Sequence, residues 1–145
     1  MKFYPFKAIV IILLSISLFS CKNTTTSELT EINFVKENYD KMETTITMRD
    51  GIKLFTVIYS PKNKSKKYPI LLHRTPYSCQ PYGADTLKTN IAPNKYLMEE
   101  GNIVVYQDVR GRWMSEGTYD NMRAYIPNKK SKKDIDESSD TYDTI

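Results

Sequence analysis

Two short apolar runs, Tyr68-Pro69-Ile70-Leu71-Leu72 and Ile103-Val104-Val105-Tyr106, constrain the fold more than any other feature of the chain. A strand with one wet face alternates apolar and polar residues, and these runs do not. They predict strands covered on both faces, as in a sheet flanked by helices. Pro76, Pro81, Gly83 and Pro93 break up the connection between them. Its last stretch, Lys95 to Glu100, has the character of final helical turns closed by Gly101 at the C′ position. Strand, helix, strand is the βαβ unit of α/β folds.

Ahead of this unit, Ile46 and Met48 alternate with Thr45 and Thr47, Asp50-Gly51 supplies a turn, and Ile52 to Tyr59 alternates again. This predicts an antiparallel β-hairpin, because a tight turn needs positive φ, which Gly51 adopts freely and Asp50 tolerates better than most residues. The sheet is therefore expected to be mixed. Pro61 to Lys67 is a charged loop, and Asp108 to Tyr125, polar and aromatic with Gly111 and Gly117, predicts an ordered loop. Asp134-Ile135-Asp136-Glu137 has the acid-x-x-Glu spacing of a capping box, so a helix is expected to start near Asp136 and run to Ile145.

The first twenty residues are different material. Lys2 and Lys7 precede Ala8 to Phe19, which is apolar apart from Ser15 and Ser17. A basic start followed by a stretch of about a dozen apolar residues is an export signal, too short for the ~20 residues of a permanent membrane span. Leu18-Phe19-Ser20-Cys21 then places a small residue just before a cysteine and is similar to a bacterial lipobox, with Phe19 bulkier than usual. Residues 1–20 are accordingly expected to be a lipoprotein signal peptide and Cys21 the lipidated first residue of an exported, membrane-anchored protein. Acylation of Cys21 would leave Cys79 alone and exclude an internal disulfide. Residues 21–40, polar and without a sustained period from Asn23 to Asn38, are expected to be a tether, and 41–145 the folded part.

The formal charge of +4 falls to +2 without Lys2 and Lys7, and the remaining basic residues are interspersed with acids. The runs Lys62 to Lys67 and Lys129 to Lys133 lack interleaved aromatics, so they indicate solvated loops and no nucleic-acid partner.

Several motifs fall in one order: Met48-Arg49-Asp50-Gly51-Ile52-Lys53-Leu54, Arg74-Thr75-Pro76-Tyr77, Gln107-Asp108-Val109-Arg110-Gly111, Ser115-Glu116-Gly117 and Asp136-Glu137-Ser138-Ser139-Asp140-Thr141-Tyr142-Asp143-Thr144-Ile145. Together, over roughly Glu43 to Ile145, they resemble the X-Pro dipeptidyl-peptidase and cocaine esterase superfamily of serine hydrolases. The long insert Met122 to Lys133 looks most like the α-amino-acid ester hydrolases and glutaryl-7-aminocephalosporanic acid acylases. The resemblance implies the N-terminal portion of an α/β-hydrolase fold and cleavage of small-molecule ester, amide or peptide substrates by a Ser-His-Asp triad, without a cofactor. It also implies a serine raised on a Gly-x-Ser-x-Gly elbow. That elbow is not among these residues: two places after Gly51, Gly83, Gly101, Gly111 and Gly117 stand Lys53, Asp85, Ile103, Trp113 and Tyr119. The family nucleophile is thus expected beyond Ile145, with the triad Asp and His later still.

One participant matches within the chain. The family uses a tyrosine hydroxyl from the loop after the first of these strands, with a backbone N–H beside the nucleophile, as its oxyanion hole, and Tyr77 matches that tyrosine. Such a donor must sit where negative charge develops, and losing one costs about 3 to 4 kcal/mol of transition-state stabilisation. A phenol donates while neutral, and Pro76 fixes φ just before it. His73, the single histidine, is expected to be a structural strand-end residue, because a triad base needs a nucleophile and an orienting carboxylate around it. Asp108 and Arg110 are expected to pin a loop. Cys79, without a Cys or His partner at metal spacing, is expected to be a free thiol, and no metal is inferred.

Two functional classes follow: the N-terminal part of a lipid-anchored serine acyl hydrolase, or a truncated surface lipoprotein without catalysis whose partial sheet serves binding. A Gly-x-Ser-Tyr-x-Gly segment in the continuing reading frame separates them. Cys21→Ala should abolish palmitate incorporation and membrane association, and label persisting in the variant would contradict the lipid anchor.

Overall fold

The computed structural model describes residues 33–145, so Cys21 and the export segment lie outside the described residues. Four strands form one sheet: β1 (Tyr39–Thr47), β2 (Lys53–Pro61), β3 (Ile70–Thr75) and β4 (Ile103–Asp108). Their order is β1-β2-β4-β3. β1 pairs with β2 and β2 with β4 antiparallel, and β3 pairs with β4 parallel. The mixed sheet expected from the hairpin and the two apolar runs is therefore observed. Helix α1 (Lys95–Glu99) lies in the crossover from β3 to β4, and α2 (Glu137–Thr144) closes the described chain. No helix among the described residues is long and apolar enough to cross a membrane.

Local chemistry sets the element ends. The hairpin turn is closed by the Gly51 N–H on the Met48 carbonyl (2.9 Å) and the Met48 N–H on the Ile52 carbonyl (2.8 Å). Gly51 takes the positive φ of 90°, whereas Asp50 does not and offers its carboxylate elsewhere. Asn94 caps α1 through the Leu97 N–H, and Gly101 at φ 86° ends it as anticipated. The capping box of α2 is shifted from the expected pair. Asp136 accepts the Ser139 N–H while Ser139 Oγ accepts the Asp136 N–H, and Asp134 instead accepts the N–H groups of Lys130 and Ser131. Residues 33–38, within the expected tether, are helical, and Val35 is fully buried in the core.

The register divides the sheet into two unlike faces. On one, Val57, Tyr59 and Val104 pack against Tyr39, Cys79, Ile91, Ala92 and Met98, which form the core. The β3-to-α1 connection is fastened over this face by polar contacts. Lys41 Nζ donates to the carbonyls of Pro81, Gly83 and Thr86, the Tyr106 hydroxyl to that of Ile91, and the Tyr39 hydroxyl to that of Met98.

On the other face the register aligns Thr44, Thr56, Gln107 and Arg74 in a polar row. Helix α2 lies on that row, and its buried residues are Ser139 and Asp140, not apolar ones. Gln107 donates to Thr56 Oγ1 and Thr144 Oγ1, and Arg74 donates to Gln107 Oε1, Glu137 and Thr141. Beside the polar row Leu72, Ile103, Ile58 and Ile70 line an apolar groove together with Ile145. Ile70 is exposed and Leu71 and Leu72 are half-buried, so β3 is less covered than its unbroken apolar run predicted. β3 is an outer strand of the described sheet, next to β4 alone, which explains the difference.

Carboxylates therefore carry the docking of α2. Hydrogen bonds and charge from Arg49 hold Asp143 below the usual carboxylate range. Burial pushes Asp136 up, but the N–H groups of Ile126 and Ser139, Lys129 and the Ser138 hydroxyl outweigh it and leave it low. A depressed carboxylate stabilises the fold above its unfolded value, about 3.9, and that contribution disappears as pH falls through the lower folded value. The urea midpoint should accordingly be flat from pH 8 to 5 and fall below about pH 4. Asp143→Asn should cost about 1 kcal/mol at pH 7 and flatten the acid limb, since its pair with Arg49 is partly solvated. An unchanged acid limb in the variant would contradict this account.

Candidate functional site

The carboxyl ends of β3 and β4 lie side by side, with Thr75 opposite Asp108 in the parallel register. The loops leaving these ends build the site. Ligand sites of open α/β sheets occur at this edge of the strands.

Asp108 is fully buried and organises the β3 loop from the end of β4. Its Oδ1 accepts the Cys79 N–H (2.8 Å) and its Oδ2 the Tyr82 hydroxyl (2.9 Å). Its carbonyl accepts the Ser115 hydroxyl (2.6 Å), and Ser115 Oγ in turn accepts the Phe55 N–H (2.8 Å). One aspartate thereby ties together the loops after β3 and β4 and strand β2.

Arg110, two residues on, is buried between two carboxylates. It donates to Asp140 on α2 (2.7 and 3.0 Å) and to Asp50 in the hairpin turn (2.8 and 3.2 Å). Asp108 and Arg110 do not pair with each other. Each pins a different set of elements, which refines the expectation that they fix a loop. The turn at Gly111 admits no side chain, because a Cβ there would run into the backbone of Thr118 and Tyr119.

Tyr77 stands on the turn that Asp108 anchors. Its N–H donates to Thr75 Oγ1 (3.0 Å), its ring is 85% exposed, and Ser78 after it holds φ at 93°. A non-glycine residue there is strained by about 1–3 kcal/mol, and such outliers cluster at functional sites. The Tyr77 hydroxyl makes no hydrogen bond among the described residues and is free to meet a ligand.

The other sequence candidates fall as follows. His73 is exposed on β3 with its ring edge-on to Tyr106 at 5.5 Å, and its side chain makes no hydrogen bond among the described residues. Cys79 is a buried free thiol. Burial pushes its pKa up, and the hydrogen-bonded Asp108 adds to the shift, which makes it a poor nucleophile. Sequence reasoning missed Arg49, Arg74, Asp50 and Asp140 as a network. The signal available was Glu137, Asp140 and Asp143, spaced three apart in a segment almost without apolar residues.

A small mixed sheet with the order β1-β2-β4-β3, a crossover helix and a loop-built site at the carboxyl ends of its parallel strands defines the N-terminal portion of an α/β-hydrolase fold. Residues 50–145 match the family described as X-Pro dipeptidyl-peptidase (S15 family), and the chain belongs to that family. Among solved structures it is similar to an α-amino acid ester hydrolase labelled with selenomethionine, at 38% identity and a TM-score of 0.60. It is also similar to an aminopeptidase from the marine sediment archaeon Thaumarchaeota archaeon, at 37% identity and a TM-score of 0.60. Each match covers 74% of this chain and 18% of the other. No protein of curated function matches.

Asp108→Asn removes one carboxylate oxygen and the charge from this site, so either the buried Cys79 N–H loses its acceptor or the Tyr82 hydroxyl must accept from the amide and donate to Ser78 instead, a disturbance of about 1–3 kcal/mol. Native Cys79 should resist iodoacetamide at pH 8 and become reactive in Asp108→Asn. Equal protection in both proteins would show that Asp108 does not hold this turn.

Proposed function

We propose that this chain is the N-terminal part of an exported, lipid-anchored serine acyl hydrolase, and that Tyr77 supplies a hydrogen-bond donor of its oxyanion hole. The observation that carries the proposal is the Tyr77 hydroxyl, unpartnered among the described residues, on a strained turn at the carboxyl end of β3 anchored by buried Asp108. A donor whose backbone is held before substrate arrives needs little reorganisation when charge develops on the tetrahedral oxygen, and a hydrogen bond that strengthens there stabilises the transition state more than the ground state.

In this mechanism a serine, activated by His and Asp, attacks the carbonyl of an ester or amide, and the negative oxygen accepts a hydrogen bond from Tyr77. No glycine of the chain begins a Gly-x-Ser-x-Gly elbow, so the nucleophile is assigned to polypeptide following α2. The two similar structures are an α-amino acid ester hydrolase and an aminopeptidase, which supports amino-acid esters or amides as the substrate class. Cys21 would hold the protein at a membrane by lipid, with the site on the exported side.

The 145 residues alone should neither hydrolyse activated esters above a heat-treated control nor react with a fluorophosphonate probe. The chain extended through its elbow and triad should do both. In that protein Tyr77→Phe, which removes only the hydroxyl, should lower kcat by roughly a hundredfold with a much smaller change in KM. A kcat within about twofold of the parent would reject the oxyanion role. An extended chain inert to the probe would favour a non-catalytic lipoprotein.

A further inference from the structure

We infer that Trp113, seconded by Arg112, is a positioning residue for the Tyr77 hydroxyl, acting through the Pro76 carbonyl. The inference rests on the assignment of Tyr77 as an oxyanion donor and extends it to a different loop. The Trp113 indole Nε1–H donates to the Pro76 carbonyl at 2.9 Å, and Arg112 Nε donates to the same oxygen at 3.2 Å. That oxygen belongs to the peptide unit whose nitrogen is Tyr77 N, and the Tyr77 N–H is held by Thr75 Oγ1 at 3.0 Å. A peptide unit is planar, so restraining its oxygen and its N–H together fixes the plane from which the Tyr77 Cα departs. The next fixed point is the Cys79 N–H on Asp108. Tyr77 itself is almost fully exposed, so what its surroundings fix is the backbone and with it the direction of the Cα–Cβ bond, from which the staggered side-chain rotamers place the phenol.

The β4 loop is built to present these two donors. Trp113 sits at φ 51°, a conformation that a bulky residue adopts only when the surroundings impose it. The surroundings are identifiable. The Arg112 and Ser115 N–H groups donate to the Val109 and Arg112 carbonyls, and the Gly111 N–H donates to that of Glu116. The Arg112 guanidinium lies over the Tyr119 ring at 5.0 Å and near the Trp113 indole at 5.8 Å, which holds both donors in one orientation. The indole is more than half exposed, so packing into a core does not explain its place. Its N–H bond to the Pro76 carbonyl does.

The test is a double-mutant cycle in the complete hydrolase with an ester substrate. Trp113→Phe keeps an aromatic ring and removes only the N–H donor. Because Arg112 retains the second bond, it should lower kcat by roughly three- to tenfold with KM within about twofold. Trp113→His, which restores a ring N–H, should recover part of the loss. In the Tyr77→Phe background Trp113→Phe should have no further effect, because the group it aims is gone. A Trp113→Phe loss that multiplies undiminished in that background would overturn the inference, as would no loss at all where Tyr77→Phe is costly. If Tyr77→Phe itself costs nothing, the oxyanion assignment fails, and the positioning role falls with it.

Discussion

The arrangement depends first on Arg110, a buried cation shared between Asp50 and Asp140. Asp50 belongs to the hairpin turn, Arg110 to the loop after β4, and Asp140 to α2, so one side chain joins the two ends of the folded sequence. Buried ion pairs add little net stability because desolvation opposes attraction, yet removing one partner leaves a stranded charge and costs about 3–5 kcal/mol. The consequence is specificity of placement. Helix α2 offers the sheet no apolar face, and Arg110, Arg49 and Arg74 hold it by Asp140, Asp143 and Glu137. Among the described residues Arg74 carries the one buried side-chain nitrogen without a hydrogen bond, with Asp140 at 3.6 Å.

This latch fixes the loop that begins at Arg110, and through it the site. Asp108 is the second organiser, on the opposite face of β4 from Gln107 as strand alternation requires. Gln107 joins the polar row beneath α2, while Asp108 reaches across to the β3 loop. Successive residues of one strand thus serve helix docking and site construction.

Much of this was legible in the sequence because backbone chemistry is local. The apolar runs at Ile70 and Ile103, the Gly51 turn and the Gly101 helix end announced themselves by residue type, and the motif order indicated the family. Features that depend on distant partners were less accessible. The exposure of β3 arises from its outer place in the described sheet, and nothing in Ile70-Leu71-Leu72 encodes it. The Asp136 cap chose Ser139 over the Asp134 and Glu137 spacing because Asp134 was already engaged by its own turn. The split roles of Asp108 and Arg110, and the convergence of Trp113 and Arg112 on Pro76, appear only once the loops meet.

The central claim is that the Tyr77 hydroxyl meets the oxygen that becomes negative during acyl transfer. The most direct measurement is a crystal structure of the complete hydrolase after reaction with a phosphonate ester, whose phosphonyl oxygen occupies the position of the tetrahedral oxyanion. The account predicts the Tyr77 hydroxyl about 2.7–3.1 Å from that oxygen, with the Pro76 carbonyl still bound by Trp113 and Arg112. A phosphonyl oxygen held entirely by other donors, with the Tyr77 ring turned to solvent, would contradict it.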